Sequence, residues 1–514
     1  ILWPLDAAVV CAVLLVGVTL AAKFFWAGRS EFRVTAWGLT AVIVFVLVAV
    51  WIGARSAATP TNFDAGLYYL QAMRWMHEYP IVPGLANLHS RLGFNQSSLI
   101  WAAALDFYPY GGSGRSIGNG SLVLVALLSF SWTIRAAIGR LTVFEERVTL
   151  LAVSLGVLVP AMLMPLLIQQ WTTAPVPDAI VMLLQFAIFA GFMVDLEAWS
   201  RDEQAQGPLL LSVALLAGVA VTVKLSTAVF CFCIVCFCIF RAFSLGVGTV
   251  LRVVAAPTLV VSVWVCRNYI LSGTAAYPLA FTRLPFEWAV PLARIHEDAE
   301  WISSWARMPG MPLPEAVLMH DWIGPWFNRV RANPLVVQPL IGASMLTFAA
   351  GAMALIPRHE LKRRARAWFC LVPPFASCVF WFLTAPDPRF TLGAAWCLFA
   401  AAGTVFYSEA LGLRWSRVAL PALVIVVLTI NSAFVQSLLQ GRGSAHTAAI
   451  EGQSALPAGL TQRITDSGLL VNIAGGDGRC WDAPLPCTPY FDPSLALRSS
   501  GELGSGFVSG GGAP

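Results

Sequence analysis

Apolar residues in this chain are gathered into blocks of about 18–25, the length needed to cross roughly 30 Å of hydrocarbon. Twelve such blocks lie at about 5–23, 35–54, 118–139, 148–168, 179–197, 208–224, 226–242, 249–271, 335–356, 367–384, 391–408 and 417–437. In lipid a backbone finds no water to bond, so each block must satisfy its own N–H and C=O groups as a helix. The pattern predicts an all-α, polytopic membrane protein with about twelve transmembrane helices. Only a few residues around Lys224 part the sixth block from the seventh, the least distinct boundary. The first block is too long, and too weakly flanked, for a cleaved signal peptide. The chain begins at Ile1 rather than Met, which leaves room for residues upstream.

Composition excludes the soluble classes. Of 514 residues, 58% are hydrophobic and 11% charged, far from a globular average. The net charge of +5 does not describe a nucleic-acid surface, because the basic residues are scattered over short loops. They sort by side instead. With 24–34 placed in the cytoplasm, the cytoplasmic segments collect Lys23, Arg29, Arg33, Arg140, Arg147, Arg201, Arg241, Arg252, Arg358, Lys362, Arg363, Arg364, Arg366, Arg414 and Arg417. The short loops 169–178 and 385–390, on the other side, carry only Arg389. This is the positive-inside pattern. Its anchor is Arg358-His359-Glu360-Leu361-Lys362-Arg363-Arg364, which reads as a topology determinant.

On that topology 1–54 holds two spans, 118–271 six and 335–437 four, and three pieces face outward: 55–117, 272–334 and the tail from 438. In the first, Asp64 to about Glu78 reads as a short helix capped by Asn62 or Asp64, with Leu67, Leu70, Met73 and Met76 as its apolar stripe. Its Tyr and Trp suit the headgroup level of a membrane. A second helix is expected from about Ser97 to Phe107, ended by Pro109 and a Gly-rich stretch. The piece 272–334 is rich in Trp and mixed charge and reads as one or two amphipathic surface helices. In the tail, the Gly, Ser and Ala content after Phe491 suggests loose structure. Nine of the eleven cysteines lie in or beside spans. Cys231, Cys233, Cys236 and Cys238 look like a metal cluster, but in an apolar helix they read as small packing residues. Cys480 and Cys487 lie in the outer tail, where a disulfide closing their short loop is the natural reading.

Ionisable residues at membrane depth are costly and therefore candidates for function. Most fall at the outer side: Asp64 after the second span, Asp178 opening the fifth, Lys224 closing the sixth, Arg267-Asn268 near the end of the eighth, and Asp387 with Arg389 in the hairpin between the tenth and eleventh. His89 and Arg91 follow in the first outer loop. Acids and cations at one level suit a reaction on a charged headgroup, one carboxylate acting as base while Arg and Lys hold phosphate. Each has a plainer reading. Asp64 and Asp178 can cap helices, Lys224 can snorkel, Arg267 can be an interfacial anchor, Arg389 can hold a Pro turn, and His89 and Arg91 can tie down a loop.

These residues together resemble the GT-C superfamily, multispanning glycosyltransferases that use polyprenyl-phosphate-linked sugars. The resemblance covers roughly 35–410: Phe63-Asp64-Ala65 in the first large outer loop, Pro177-Asp178 opening a later span, Gly218 to Lys224 ending a Gly-rich one, and Arg267-Asn268 followed by Gly273 and Tyr277-Pro278. The strings Tyr68-Tyr69-Leu70-Gln71 through His89, and Cys480 to Tyr490, are similar to a bacterial subgroup without assigned substrates. The resemblance implies that Asp64 is the catalytic base, that the anomeric carbon inverts, and that lipid phosphate leaves past Arg389, Arg267 or Lys224. It implies that Asp178 orients the acceptor or binds a metal. Tyr68, His89, Arg91, Asn268 and Asp387 become candidate substrate contacts. It places the protein in a bacterial inner membrane, with large loops on the periplasmic side and a lipid-linked sugar as partner. One departure is that the candidate loop follows the second span rather than the first, which would leave the N-terminus outside.

Two other classes stand beside this reading. A transporter of lipid-linked sugar would want ionisable residues near midplane and internal repeats, whereas here the polar groups gather at one face and no repeat is seen. A non-catalytic subunit would dock a protein partner through 272–334 or 438–514. The sequence leaves the need for a divalent metal open.

Overall fold

The computed structural model describes residues 62–106, 117–125, 171–311, 321–355, 361–410 and 459–510, with isolated positions between 4 and 60. The expected spans at 5–23, 35–54, 118–139, 148–168 and 417–437 lie wholly or mostly outside these residues. Among the described residues six helices are long and apolar enough to cross a membrane: Pro177–Ser200, Leu225–Leu245, Val247–Ser272, Leu335–Ala354, Arg364–Thr384 and Pro388–Phe406. A shorter apolar helix, Gly207–Val223, joins them, and the seven answer to seven of the expected blocks.

Proline opens several of them, at Pro177, Pro208, Pro334 and Pro373. Its missing N–H is one that a first helical turn leaves unbonded anyway. Two helices form the centre. The apolar stretches of Pro177–Ser200 and Pro388–Phe406 are 67% buried, against 17% for Val247–Ser272 and 22% for Leu335–Ala354. Around that centre Phe232, Phe240, Leu251, Leu259, Phe348 and Leu383 face outward. Such a belt would be a liability in water; in hydrocarbon it is the expected surface.

Ion pairs close one end of the bundle. Arg241 Nε lies 2.6 Å from Asp195 Oδ2, Arg364 Nε donates to Glu409 Oε2 at 2.7 Å, and Arg366 Nη1 meets Asp202 Oδ1 at 2.5 Å. The other end carries the loop from residue 62. A π-helical turn, Ala65–Tyr69, runs into the helix Leu70–Glu78, and a second helix spans Ser97–Ala104.

Tyr68, Tyr69 and Trp75, expected to face headgroups, are all buried inside the protein: Tyr68 packs on Tyr69 and Phe94, and Phe507 of the tail covers Trp75. The tail is not helical either, so the all-α expectation holds only for the bundle. Strands β1 (Leu460–Ile464) and β2 (Leu470–Ala474) pair antiparallel, and β3 (Cys487–Thr488) adds parallel to β2. β4 (Leu495–Leu497) pairs antiparallel with β5 (Phe507–Ser509). Cys480 and Cys487 are joined in a disulfide. The stretch after Phe491, expected to be loose, is docked: Phe507 is fully buried with its ring edge on Trp75, and its N–H donates to Pro83 O at 2.9 Å. Gly506 stands at φ 109° with Pro83 O only 2.4 Å from where a Cβ would be. Both the positive φ and the close contact require glycine there.

Docking is also close at Gly66, where a Cβ would come within 2.6 Å of the Trp481 ring. Trp481 N–H donates to Gly66 O at 2.8 Å. Gly66→Val is therefore expected to destabilise the protein by about 1–3 kcal/mol, the usual cost of overpacking. It should also make the tail the first segment cut in limited proteolysis of the detergent-solubilised protein.

Candidate active site

Asp178 lies in the first turn of Pro177–Ser200, where the helix dipole favours a negative charge. Lys224 ends the neighbouring helix Gly207–Val223 in an extended conformation, φ −159°. Its Nζ reaches Asp178 Oδ1 at 2.5 Å and lies 3.8 Å over the Phe390 ring. Asp387 caps the central helix Pro388–Ala410, accepting from the Arg389 N–H at 2.9 Å and from Arg389 Nε at 3.2 Å. Its turn is held by two indoles, Trp326 Nε1 on Pro386 O and Trp381 Nε1 on Asp387 O, both at 2.7 Å. Arg389 Nη1 then lies 3.7 Å from Asp64 Oδ2.

The capping reading of Asp64 does not hold. Asn62 is the cap: its Oδ1 accepts from the Asp64 N–H at 2.9 Å, and the Asp64 carboxylate makes no capping hydrogen bond. Burial pushes that carboxyl above its ordinary value of 3.8, outweighing the pull of Arg389, Arg91 and Lys224, and the Asp178 charge adds to the push. A half-buried carboxylate with a raised pKa, one long ion pair and no structural hydrogen bond to keep has the character of a general base.

The structure thus brings Asp64, Asp178, Lys224, Asp387 and Arg389 to one end of the bundle. It sets Arg267 and Asn268 apart. Arg267 is buried, with Nη1 on Asn95 Oδ1; Asn268 Nδ2 donates back to Trp264 O at 3.2 Å. Arg91 lies over the Phe94 ring at 5.1 Å, near enough to Asp64 to act on its charge. Tyr68 donates to Gln96 Oε1 at 3.5 Å, and its ring sits 4.5 Å from that of Tyr69. His89 is 2% exposed and 6.1 Å from the Tyr490 ring of the tail. Phe390 and Asn95 were not among the sequence candidates. Phe390 carries a signal only in its place next to Arg389; Asn95 has one in hindsight, as an Asn in a Gly-Phe-Asn turn, the residue type that tolerates its φ of 51°.

Among the described residues no three His, Cys, Asp or Glu side chains gather as a metal site. Cys231 and Cys238 are buried while Cys236 is exposed, so that run does not form a cluster. Of the three acids at the site, Asp178 is paired with Lys224, while Asp64 and Asp387 share Arg389.

A family model described as a domain of unknown function, DUF8201, matches residues 1–396. The chain belongs to that family. The match takes in every residue of the site and stops before the tail. No curated protein matches. A solved structure to which the DUF8201 chain is similar is the crystal structure of ArnT from Cupriavidus metallidurans bound to undecaprenyl phosphate. The two share 14% identity over 73% of this chain and 78% of that one, with a TM-score of 0.29. A superposition that loose carries no argument about chemistry.

Removing one partner of a buried pair leaves the other charge bare. Lys224→Met or Asp178→Asn should each cost about 3 kcal/mol of stability, and the double variant less than the sum, read as thermal unfolding in one detergent. His89 gives a pH signature. Burial, then the Arg91 and Arg294 charges, lower its pKa from 6.5 to about 3. The unfolded chain then takes up a proton that the native state refuses. Stability should be full above pH 6.5 and fall by about 1.4 kcal/mol per pH unit between there and about pH 3. His89→Gln, if it folds, should flatten that slope.

Proposed function

We propose that this chain is an integral membrane glycosyltransferase that moves a sugar from a polyprenyl-phosphate carrier to an acceptor hydroxyl. The reading has Asp64 as the general base and Arg389 stabilising the departing phosphate. What supports it most is the placement of Asp64: raised in pKa, free of capping duty, and facing Arg389 at the end of an apolar bundle. Asp64 takes the proton of the acceptor hydroxyl as its oxygen attacks the anomeric carbon. The bond from that carbon to the phosphate oxygen breaks, and the phosphate leaves with the electron pair toward Arg389. Attack from the side opposite the leaving group inverts the centre. Asp178 and Lys224 fix the helix ends that carry this geometry, and Asp178 faces the acceptor side. The site opens at the outer leaflet of a bacterial inner membrane in this reading, the face chosen by the distribution of positive charge. The gathering of ionisable groups at one end of the bundle, away from midplane, disfavours a transporter.

Asp64→Asn should lower sugar transfer from a polyprenyl-phosphate donor by about 10²–10⁴-fold, the usual contribution of a general base, with folding retained. Transfer at the wild-type rate would remove the proposal. The variant carries a second readout. A carboxyl raised by burial stabilises the fold when protonated, so stability is lost as pH climbs from 3.8 through the raised value. At neutral pH Asp64→Asn should therefore melt higher than wild type, and the gap should close below pH 3.8.

A further inference from the structure

Among the described residues the Asp64 carboxylate is held only by Arg389 Nη1, at 3.7 Å, and it makes no capping hydrogen bond. Its position must therefore come from the backbone that carries it. That backbone runs into the π-helical turn Ala65–Tyr69, a rare geometry frequent at functional sites. The loop closed by the Cys480–Cys487 disulfide sits on this turn. Trp481 N–H donates to Gly66 O at 2.8 Å, and the Trp481 ring lies 2.6 Å from where a Gly66 Cβ would stand. Gln71 Nε2 donates to Trp481 O at 3.1 Å and to Ala483 O at 2.9 Å, and Arg74 Nη1 donates to Asp482 O at 2.9 Å. On the other side of Asp64, the Arg479 guanidinium lies 5.2 Å from the Phe63 ring and 4.6 Å from the Trp481 ring. Residues before and after Asp64 thus meet one short segment of the tail. Trp481 itself stands at φ 46°, a left-handed conformation that a bulky side chain takes only where its surroundings impose it, and such strain gathers at functional sites. The tail is moored independently, by Phe507 on Trp75 and by Thr488 Oγ1 on Leu88 O.

We infer that Trp481 is a positioning residue for the catalytic base: from its disulfide loop it presses on Gly66 and fixes where the Asp64 carboxylate meets the acceptor. The inference rests on the sugar-transfer reading and deepens it, since it says what holds the base which that reading invokes. Strong hydrogen bonds to the carboxylate itself would favour its charged form and lower its basicity. Holding the backbone instead leaves both oxygens to the substrate. The precision matters, because a displacement of about 1 Å at a reacting group can cost about 10²-fold in rate.

The test compares Trp481→Ala, Trp481→Phe and Phe507→Leu, each as the purified full chain in detergent. Trp481→Ala should lower kcat for transfer from a polyprenyl-phosphate donor by about 10- to 100-fold, with KM changed less than about three-fold. Trp481→Phe should recover most of that loss, since a smaller ring still covers Gly66. Phe507→Leu alters a contact of the same tail that packs on Trp75 rather than on the turn; it should melt lower yet keep kcat close to wild type. A second readout needs no turnover. Burial raises the Asp64 carboxyl, and if the turn lifts, that carboxyl regains water. In the Trp481→Ala background, the rise in melting temperature that Asp64→Asn brings at neutral pH should therefore shrink. Gln71→Met removes two hydrogen bonds to the loop; it should move both readouts the same way and serves if Trp481→Ala does not fold. Wild-type kcat in Trp481→Ala, an Asp64→Asn effect unchanged in that background, or an equal loss of kcat in Phe507→Leu would overturn the inference. If the wild-type chain transfers no sugar, the transferase reading falls, and the melting readout alone decides whether Trp481 seats Asp64.

Discussion

The Asp178–Lys224 pair is the contact on which the architecture of the site depends. It joins the first turn of one helix to the last residue of another, at the level where an apolar bundle gives way to polar loops. An unpaired charge there would face a low dielectric, in which the attraction between opposite charges is several times stronger than in water. Lys224 leaves the helical conformation to make this contact, so the pair also sets where the chain reverses. Phe390, under the ammonium, brings the central helix Pro388–Ala410 into the same assembly. Asp387 and Arg389 follow, and through Arg389 the long loop bearing Asp64 is tied to the bundle.

That loop is irregular and mostly buried, and a buried irregular backbone needs partners for its polar groups. The tail supplies some of them: the backbone N–H groups of Trp481 and Phe507 donate to Gly66 O and Pro83 O, and Thr488 Oγ1 donates to Leu88 O. In return, the loop side chains of Gln71 and Asn87 donate to the tail carbonyls of Trp481, Ala483 and Phe507. Arg294 of the Trp-rich segment pairs with Asp492 at 3.6 Å and donates to Asn87 O at 3.2 Å. The loop, the Trp-rich segment and the tail therefore hold one another. A bundle of helices with loose loops would let Asp64 wander; here the turn that carries it is clamped from above by Trp481 and from below by Arg389.

Much of the bundle could be read directly. The blocks near 179–197, 249–271 and 391–408 became helices close to those bounds, because a run of that length in lipid has no other way to bond its backbone. Five of the candidate residues meet at one end of the bundle for a related reason. A charge at the end of a span is expensive, and each found an opposite charge at the same level. The Gly and Ser content after Phe491 hides two short strands, Leu495–Leu497 and Phe507–Ser509. Leu470-Val471-Asn472-Ile473-Ala474 is too short and too mixed to announce a strand, and the pairing that makes it one depends on residues 6 to 14 positions earlier. Nothing in the neighbourhood of Trp75 says that Phe507, some 430 positions later, will cover it.

What the sequence determined by itself is the kind of object this is: a polytopic helical membrane protein with its chemistry-bearing residues sorted to helix ends. Those properties follow from hydrophobic length and from the cost of charge in lipid, both of which act locally along the chain. The tertiary structure decided the rest. Among the described residues it separated the cations matched by carboxylates, Lys224 and Arg389, from those without one at ion-pair distance, Arg91 and Arg267, and it freed Asp64 from capping by giving that role to Asn62. Whether a charge is matched depends on which side chains converge in space, and convergence is set by packing between distant segments.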